Sequence, residues 1–251
     1  MLAYQKVIIS GNMVEIFRVT TAYHLDGLPS RNREAYLNED ITEDISRSEE
    51  HKKRALYKAK TKIKRLIQTN FGNQSKFITL TFNNEQDYTN LSWCYKQFHK
   101  FIIQLRERDP KLQYVCVVEF QDRNGRGAVH FHLVCNLRFI SHFDLMGLWG
   151  HGFIWIKKVA DEKNIGRYLI KYMTKAGFDP RFSNHRRWFC SRSLSQPIVY
   201  YGDNAWKLCE YLKNEGIEPG YCRQYYSEFN GNVRYELYII PDIQDVIRDW
   251  G

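Results

Sequence analysis

The 251-residue chain has no Cys-x-x-Cys pair among its six cysteines, which stand at positions 94, 116, 135, 190, 209 and 222. That spacing excludes a zinc finger, and a chain of this length buries enough surface to fold without a disulfide framework. Reduced thiols in a cytoplasm are therefore expected. The chain also lacks an apolar run of membrane-spanning length. Its opening stretch "MLAYQKVIISGNMVEIF" is interrupted by Gln5, Lys6, Gly11, Asn12 and Glu15, which suits neither a signal peptide nor a span. There is no internal repeat and no low-complexity tract. There is also no G-x-x-x-x-G-K-[ST] loop, which excludes a nucleotide-driven motor of the P-loop kind. A soluble intracellular protein with no membrane partner is the expectation.

Positive charge and aromatic rings are plentiful instead. Lys and Arg number 37 against 28 Asp and Glu, for a net charge of +9, and 15% of the chain is aromatic. A basic, ring-rich protein suits a polyanion, with aromatic faces for unstacked bases. The charge is unevenly placed. "HKKRALYKAKTKIKRLIQ" (51–68) holds eight Lys or Arg and no acid, whereas "EAYLNEDITEDISRSEE" before it is mainly acidic. Ala55, Leu56, Ala59, Ile63, Leu66 and Ile67 recur near helical spacing, which predicts an amphipathic helix with a basic face. Lys58, Lys62 and Arg65 on that face are candidate phosphate contacts.

Beyond Gly72 the period changes. "KFITLTF" alternates as a strand, and "LSWCYKQFHKFIIQLRER" carries Cys94, Phe98, Phe101, Ile102 and Leu105 at helical spacing. "LQYVCVVEF" and "AVHFHLVCNL" are strands joined through "QDRNGRG", whose Asn-Gly predicts a hairpin turn. A short helix ("SHFDLMGLWGHG"), a strand ("FIWIKKV") and a helix ended by Gly177 ("DEKNIGRYLIKYMTKAG") follow. The direct hairpin makes the sheet antiparallel at its centre, so the fold class is α+β: a central antiparallel sheet flanked by helices. Three segments are expected. They are an N-terminal extension with the basic helix (1–70), a core (71–197), and a C-terminal extension (198–251) whose "YYSEFNGNVRYELYII" reads as a hairpin.

The histidines of "AVHFHLV" carry the chemistry. On a strand, His130 and His132 share one face while Phe131 points to the other. If Gln121 pairs with Ala128, Glu119 lies opposite His130, and a carboxylate joins the two imidazoles on one face. Val118, Phe120, Phe131 and Leu133 then share the core side. Two imidazoles and a carboxylate suit a divalent cation such as Mn²⁺ or Mg²⁺ that still has room for a phosphate oxygen. On the later helix, "GRYLIKYMTKAG" sets Tyr168 and Tyr172 four apart on one face, with Lys171 and Lys175 each three residues after a tyrosine.

These motifs, "FITLTF", "HFH" and "RYLIKYMTK" in that order, resemble the HUH endonuclease superfamily, specifically two-tyrosine rolling-circle replication initiators of bacterial plasmids and phages. "WFCSRSLSQP" (188–197) is similar to a segment that follows the third motif in initiators of Gram-positive replicons. The resemblance implies an RRM- or ferredoxin-like core with the histidine strand in the middle and the tyrosine helix beside it. It also implies a metal held by Glu119, His130 and His132, and nicking of single-stranded DNA by Tyr168 and Tyr172, with Lys171 and Lys175 as added positive groups. The product would be a 5′-phosphotyrosine and a free 3′-OH, rejoined at termination. The expected partners are single-stranded and duplex origin DNA, with helicase and polymerase from a bacterial host. In "HRRWFCSR", Arg187 and Arg192 are candidate DNA contacts, while Trp188 and Phe189 suit a core equally well. A transposase using the same residues, a non-catalytic DNA-binding regulator and a cupin-type metal enzyme are the alternatives. The charge and the paired tyrosines disfavour the last.

Overall fold

The computed structural model describes residues 4–19, 41–84, 87–122, 125–159, 166, 169–173, 179–227 and 231–248. Along the chain run β1 (Tyr4–Ser10), β2 (Met13–Val19), α1 (Ile41–Asn70), β3 (Lys76–Leu80), α2 (Leu91–Arg108), β4 (Tyr114–Gln121) and β5 (Ala128–Cys135). Next come α3 (His142–Trp149), β6 (Ile154–Lys158) and a helical segment, α4, at 169–173. A single 3₁₀ turn (Pro180–Phe182) precedes β7 (Trp188–Cys190), β8 (Ile198–Tyr201), α5 (Gly202–Asn214), β9 (Tyr221–Ser227), β10 (Gly231–Ile239) and α6 (Ile243–Ile247). The fold is α+β, and the described strands form two five-stranded antiparallel sheets. No helix among the described residues is long and apolar enough to cross a membrane.

The chain divides into two compact units, His51–Ser195 and a second that joins Met1–Glu50 to Gln196–Gly251. In the second unit the sheet order is β8-β1-β2-β10-β9. The β1–β2 hairpin turns at Gly11, whose φ of 60° suits a residue without Cβ, and the predicted C-terminal hairpin is β9–β10. Val7, Ile9, Val14, Ile16 and Tyr238 pack there against Ala205, Leu208 and Leu212 of α5.

In the His51–Ser195 unit the sheet order is β6-β3-β5-β4-β7, so the histidine strand β5 is central. Both faces are covered. On one, Val118, Phe120, Phe131 and Leu133 meet Cys94, Phe98, Phe101, Ile102 and Leu105 of α2 and Leu145 and Trp149 of α3. On the other, Phe77, Val115, Val117 and Val134 meet Ile63, Leu66 and Ile67 of α1 and Leu169 and Met173 of α4. The helix ends follow from local chemistry. Asn90 caps α2 by accepting from the Trp93 amide, Ser141 caps α3 by accepting from Asp144, and Gly150 ends α3 in the left-handed region. The basic stretch 51–68 is the second part of α1, and the acidic stretch before it continues the same helix from Ile41. The six cysteines are free thiols.

Candidate functional site

The β4–β5 ladder pairs Gln121 with Ala128 and Glu119 with His130, the register that places the carboxylate and both imidazoles on one side of the sheet. Glu119 is 2% exposed and His132 3%. A carboxylate so deeply buried needs a donor, and His132 supplies one through Nε2, 2.9 Å from Glu119 Oε2. With Glu119 ionised, its oxygens only accept, and Nε2 is then the atom that carries the proton. The other ring nitrogen, Nδ1, lies 3.1 Å from the Thr79 hydroxyl. A hydroxyl can donate to Nδ1 in this state or accept from it if Nε2 gives its proton up, so Thr79 holds the ring in either tautomer.

His130 is half-buried, with its ring centroid 6.2 Å from that of His132. Burial foremost, then the neighbouring His132, lower its pKa to about 4 against the opposing pull of Glu119, so the ring is neutral at pH 7. A neutral imidazole is the form that binds a metal.

The tyrosine segment closes over this strand. Tyr172 stacks on His132 with ring centroids 3.6 Å apart and planes 17° apart. Phe77 supports both rings at 6.1 Å and 6.2 Å. Leu169 and Met173, buried beneath α4, set the height of Tyr172 above the sheet, and Lys171 is exposed beside it. Tyr168 and Lys175 lie outside the described residues.

The donors fit a divalent cation in kind: neutral imidazole, buried carboxylate and a hydroxyl behind the ring. They are not gathered into a cage, since among the described residues no three His, Cys, Asp or Glu side chains are placed to hold a metal together. Glu119 and His132 meet each other, and His130 stands one alternation along the strand.

Arg181 anchors the hairpin end of the sheet. Its guanidinium pairs with Asp122 at 2.7 Å and Asp179 at 2.6 Å and covers the Phe120 ring at 4.0 Å. It thereby ties the end of β4 to the turn after the tyrosine segment. Hydrogen bonds from Arg181 hold both carboxylates below their usual pKa. Lys58 and Lys62 are exposed on α1, with Lys62 Nζ 5.8 Å from the Trp188 ring, while Arg65 is half-buried. Arg187 is half-buried over Phe182 at 5.6 Å, and Arg192 is exposed. Phe189 belongs to the core, and Trp188 packs at the edge of the face that carries His132.

The sequence reading missed Thr79 and Arg181 as parts of this site. Thr79 was findable, because the alternation of "KFITLTF" puts Phe77 and Thr79 on one face and only the strand order was lacking. Arg181 has one local partner, Asp179 two residues before it, but nothing in the sequence announces its pairing with Asp122, 59 residues away.

No curated protein and no solved structure matches the chain. Residues 75–177 match the model of a family of replication-associated proteins, described as replication-associated protein ORF2. The matched stretch runs from the start of β3 through the tyrosine segment and so includes Glu119, His130, His132, Tyr168, Lys171, Tyr172 and Lys175.

Proposed function

We propose that this protein starts rolling-circle replication by nicking one strand of origin DNA and ends it by rejoining the strands. The observation that carries the reading is the stack of Tyr172 on His132, which is itself bonded to Glu119 at the centre of the sheet. It brings a phenol onto the histidine strand within the stretch that matches a replication-associated family. A free phenol has a pKa near 10 and is a weak nucleophile at neutral pH, so the site must activate it and the phosphate together.

In the proposed step a tyrosine Oη bonds to phosphorus and the P–O3′ bond breaks. The phenol proton ends on the 3′-oxygen, leaving a 5′-phosphotyrosine and a 3′-OH that primes a polymerase. One phosphodiester replaces another, so the join is reversible and needs no nucleotide triphosphate. Unwinding then falls to a host helicase. A Mn²⁺ or Mg²⁺ ion held by Glu119, His130 and His132 would polarise the scissile phosphate and neutralise charge in the five-coordinate transition state. Thr79 keeps the His132 ring aimed, and Lys171 and Lys175 add positive charge near the phosphate. The setting is the cytoplasm of a bacterial host.

Tyr168 and Tyr172 are four residues apart in the sequence, a spacing that on a helix amounts to about 6 Å along the axis and would offer a second nucleophile beside the first. Tyr168 makes the first nick and stays esterified while the circle is copied. Tyr172 cuts the new junction, and the released 3′-OH attacks the old phosphotyrosine. The test is cleavage of a single-stranded origin oligonucleotide with Mn²⁺, with mass spectrometry of the adduct. Tyr168→Phe lowers the first nick on the order of 10³-fold. Tyr172→Phe nicks but does not release circles, and EDTA stops both. Full activity in EDTA removes the metal from the mechanism, and adducts confined to Tyr168 with circle release intact in Tyr172→Phe remove the alternation.

A further inference from the structure

The strand at the edge of the site has a side that the core does not use. In β6, Ile154 and Ile156 serve the core shared with α2 and α3, while Trp155 and Lys157 alternate to the opposite face. The ladder fixes which face that is. Trp155 pairs with Thr79, Thr79 with His132, His132 with Val117 and Val117 with Trp188, so one row of side chains crosses the sheet on the histidine side. Lys157 pairs with Phe77 in the next row.

Trp155 is 41% exposed. Its ring meets Phe77 edge-on at 6.1 Å, and Phe77 in turn packs against His132 and Tyr172. The indole is thus braced from beneath while part of it stays open to solvent, two strand spacings or about 10 Å from His132. Its place is rigid. Thr81 bonds the Phe153 carbonyl through both its amide, at 3.1 Å, and its hydroxyl, at 2.8 Å. A Cβ on Gly152 would come within 2.5 Å of the Thr81 carbonyl, so only glycine lets β6 approach β3 this closely at its entry.

We propose that Trp155 and Lys157 seat the single strand beside the cut: Trp155 stacks on an unpaired base and Lys157 meets a phosphate. This rests on the nicking reading, and it names the part of the substrate that the edge of the sheet holds. An exposed indole beside an exposed ammonium, on a chain with a net charge of +9 and contiguous with the histidine strand, fits unpaired nucleic acid better than an apolar protein surface.

The test is binding of fluorescent single-stranded and duplex oligonucleotides of one sequence to the full-length protein, without metal so that no cleavage intervenes. Trp155→Ala weakens single-strand binding about 5- to 150-fold and leaves duplex binding unchanged, while Trp155→Tyr restores most of the loss because it keeps a ring. A single abasic site, moved along the oligonucleotide, weakens wild-type binding at one position and does not weaken Trp155→Ala further there. Lys157→Gln lowers the slope of log single-strand affinity against log salt by about 0.7, the counterion release of one single-strand phosphate contact. Unchanged single-strand affinity in Trp155→Ala, or an equal loss on duplex, overturns the seat. Nicking that persists alongside such a result leaves the proposed chemistry standing. Trp155-dependent binding by a protein that never nicks does the opposite.

Discussion

At the scale of single residues, the buried pair of Glu119 and His132 makes substitutions here less simple than a loss of activity. Both side chains are nearly inaccessible, so His132→Ala removes a donor from a carboxylate that is almost fully buried. Removing one side of a buried hydrogen bond to a charged group costs about 1.5–3 kcal/mol, because the group left behind has lost part of what replaced its water. The expected outcome in urea unfolding is a large loss for His132→Ala and a double variant, with Glu119→Ala added, that is less destabilised than the two singles summed. Additivity within about 0.5 kcal/mol would show that the pair is not coupled. His130, half-buried, is therefore the cleaner probe of chemistry than His132. The sequence allowed the face of each of these residues to be read, because alternation along a strand is strict and the loop length set the register. The bond from Nε2 to Glu119 was not readable, since the same register permits either a hydrogen-bonded pair or a shared ion.

At the scale of elements, α1 shows how charge and packing divide one helix. Ile63, Leu66 and Ile67 are buried against β3, β4 and β5, and their spacing alone identified them in the sequence. The helix start was not legible, because the switch from acidic to basic residues near position 50 reads as a boundary, whereas the helical backbone runs through it from Ile41. On the solvent side Lys58 and Lys62 are exposed, whereas Arg65 is half-buried. Of the three, the lysines are thus the better phosphate contacts. Lys58→Gln with Lys62→Gln should weaken duplex binding and flatten its salt dependence by nearly two in the slope of log affinity against log salt, as each neutralised phosphate releases about 0.9 counterion. Cleavage of a pre-melted oligonucleotide should fall less. A salt slope equal to that of the wild type would assign this face to solvent alone.

At the scale of the whole molecule, the His51–Ser195 unit was legible from the sequence to a degree that the other unit was not. Its elements are strongly periodic, and its central hairpin joins neighbours in the chain. The second sheet is built from strands far apart in sequence, β1 and β2 pairing with β8 and β10, and no local pattern announces such a pairing. The Gly11-Asn12 dipeptide between two apolar stretches was a hairpin signal for the first two strands, but nothing in it points to residues 198–239. This arrangement predicts how the protein responds to truncation. Removing Gln196–Gly251 takes away both sheet neighbours of the β1–β2 hairpin together with α5, and a two-stranded hairpin alone is marginal in water. Amide exchange should then show residues 4–19 unprotected while β3, β4 and β5 keep their protection, since both cores of the His51–Ser195 unit lie within it. Glu119, His130, His132, Tyr168 and Tyr172 are all retained, so the truncated protein should still nick a single-stranded oligonucleotide. Loss of protection across both sheets would mean that the two units fold only together, and loss of nicking with β3, β4 and β5 still protected would give the second unit a part in cleavage.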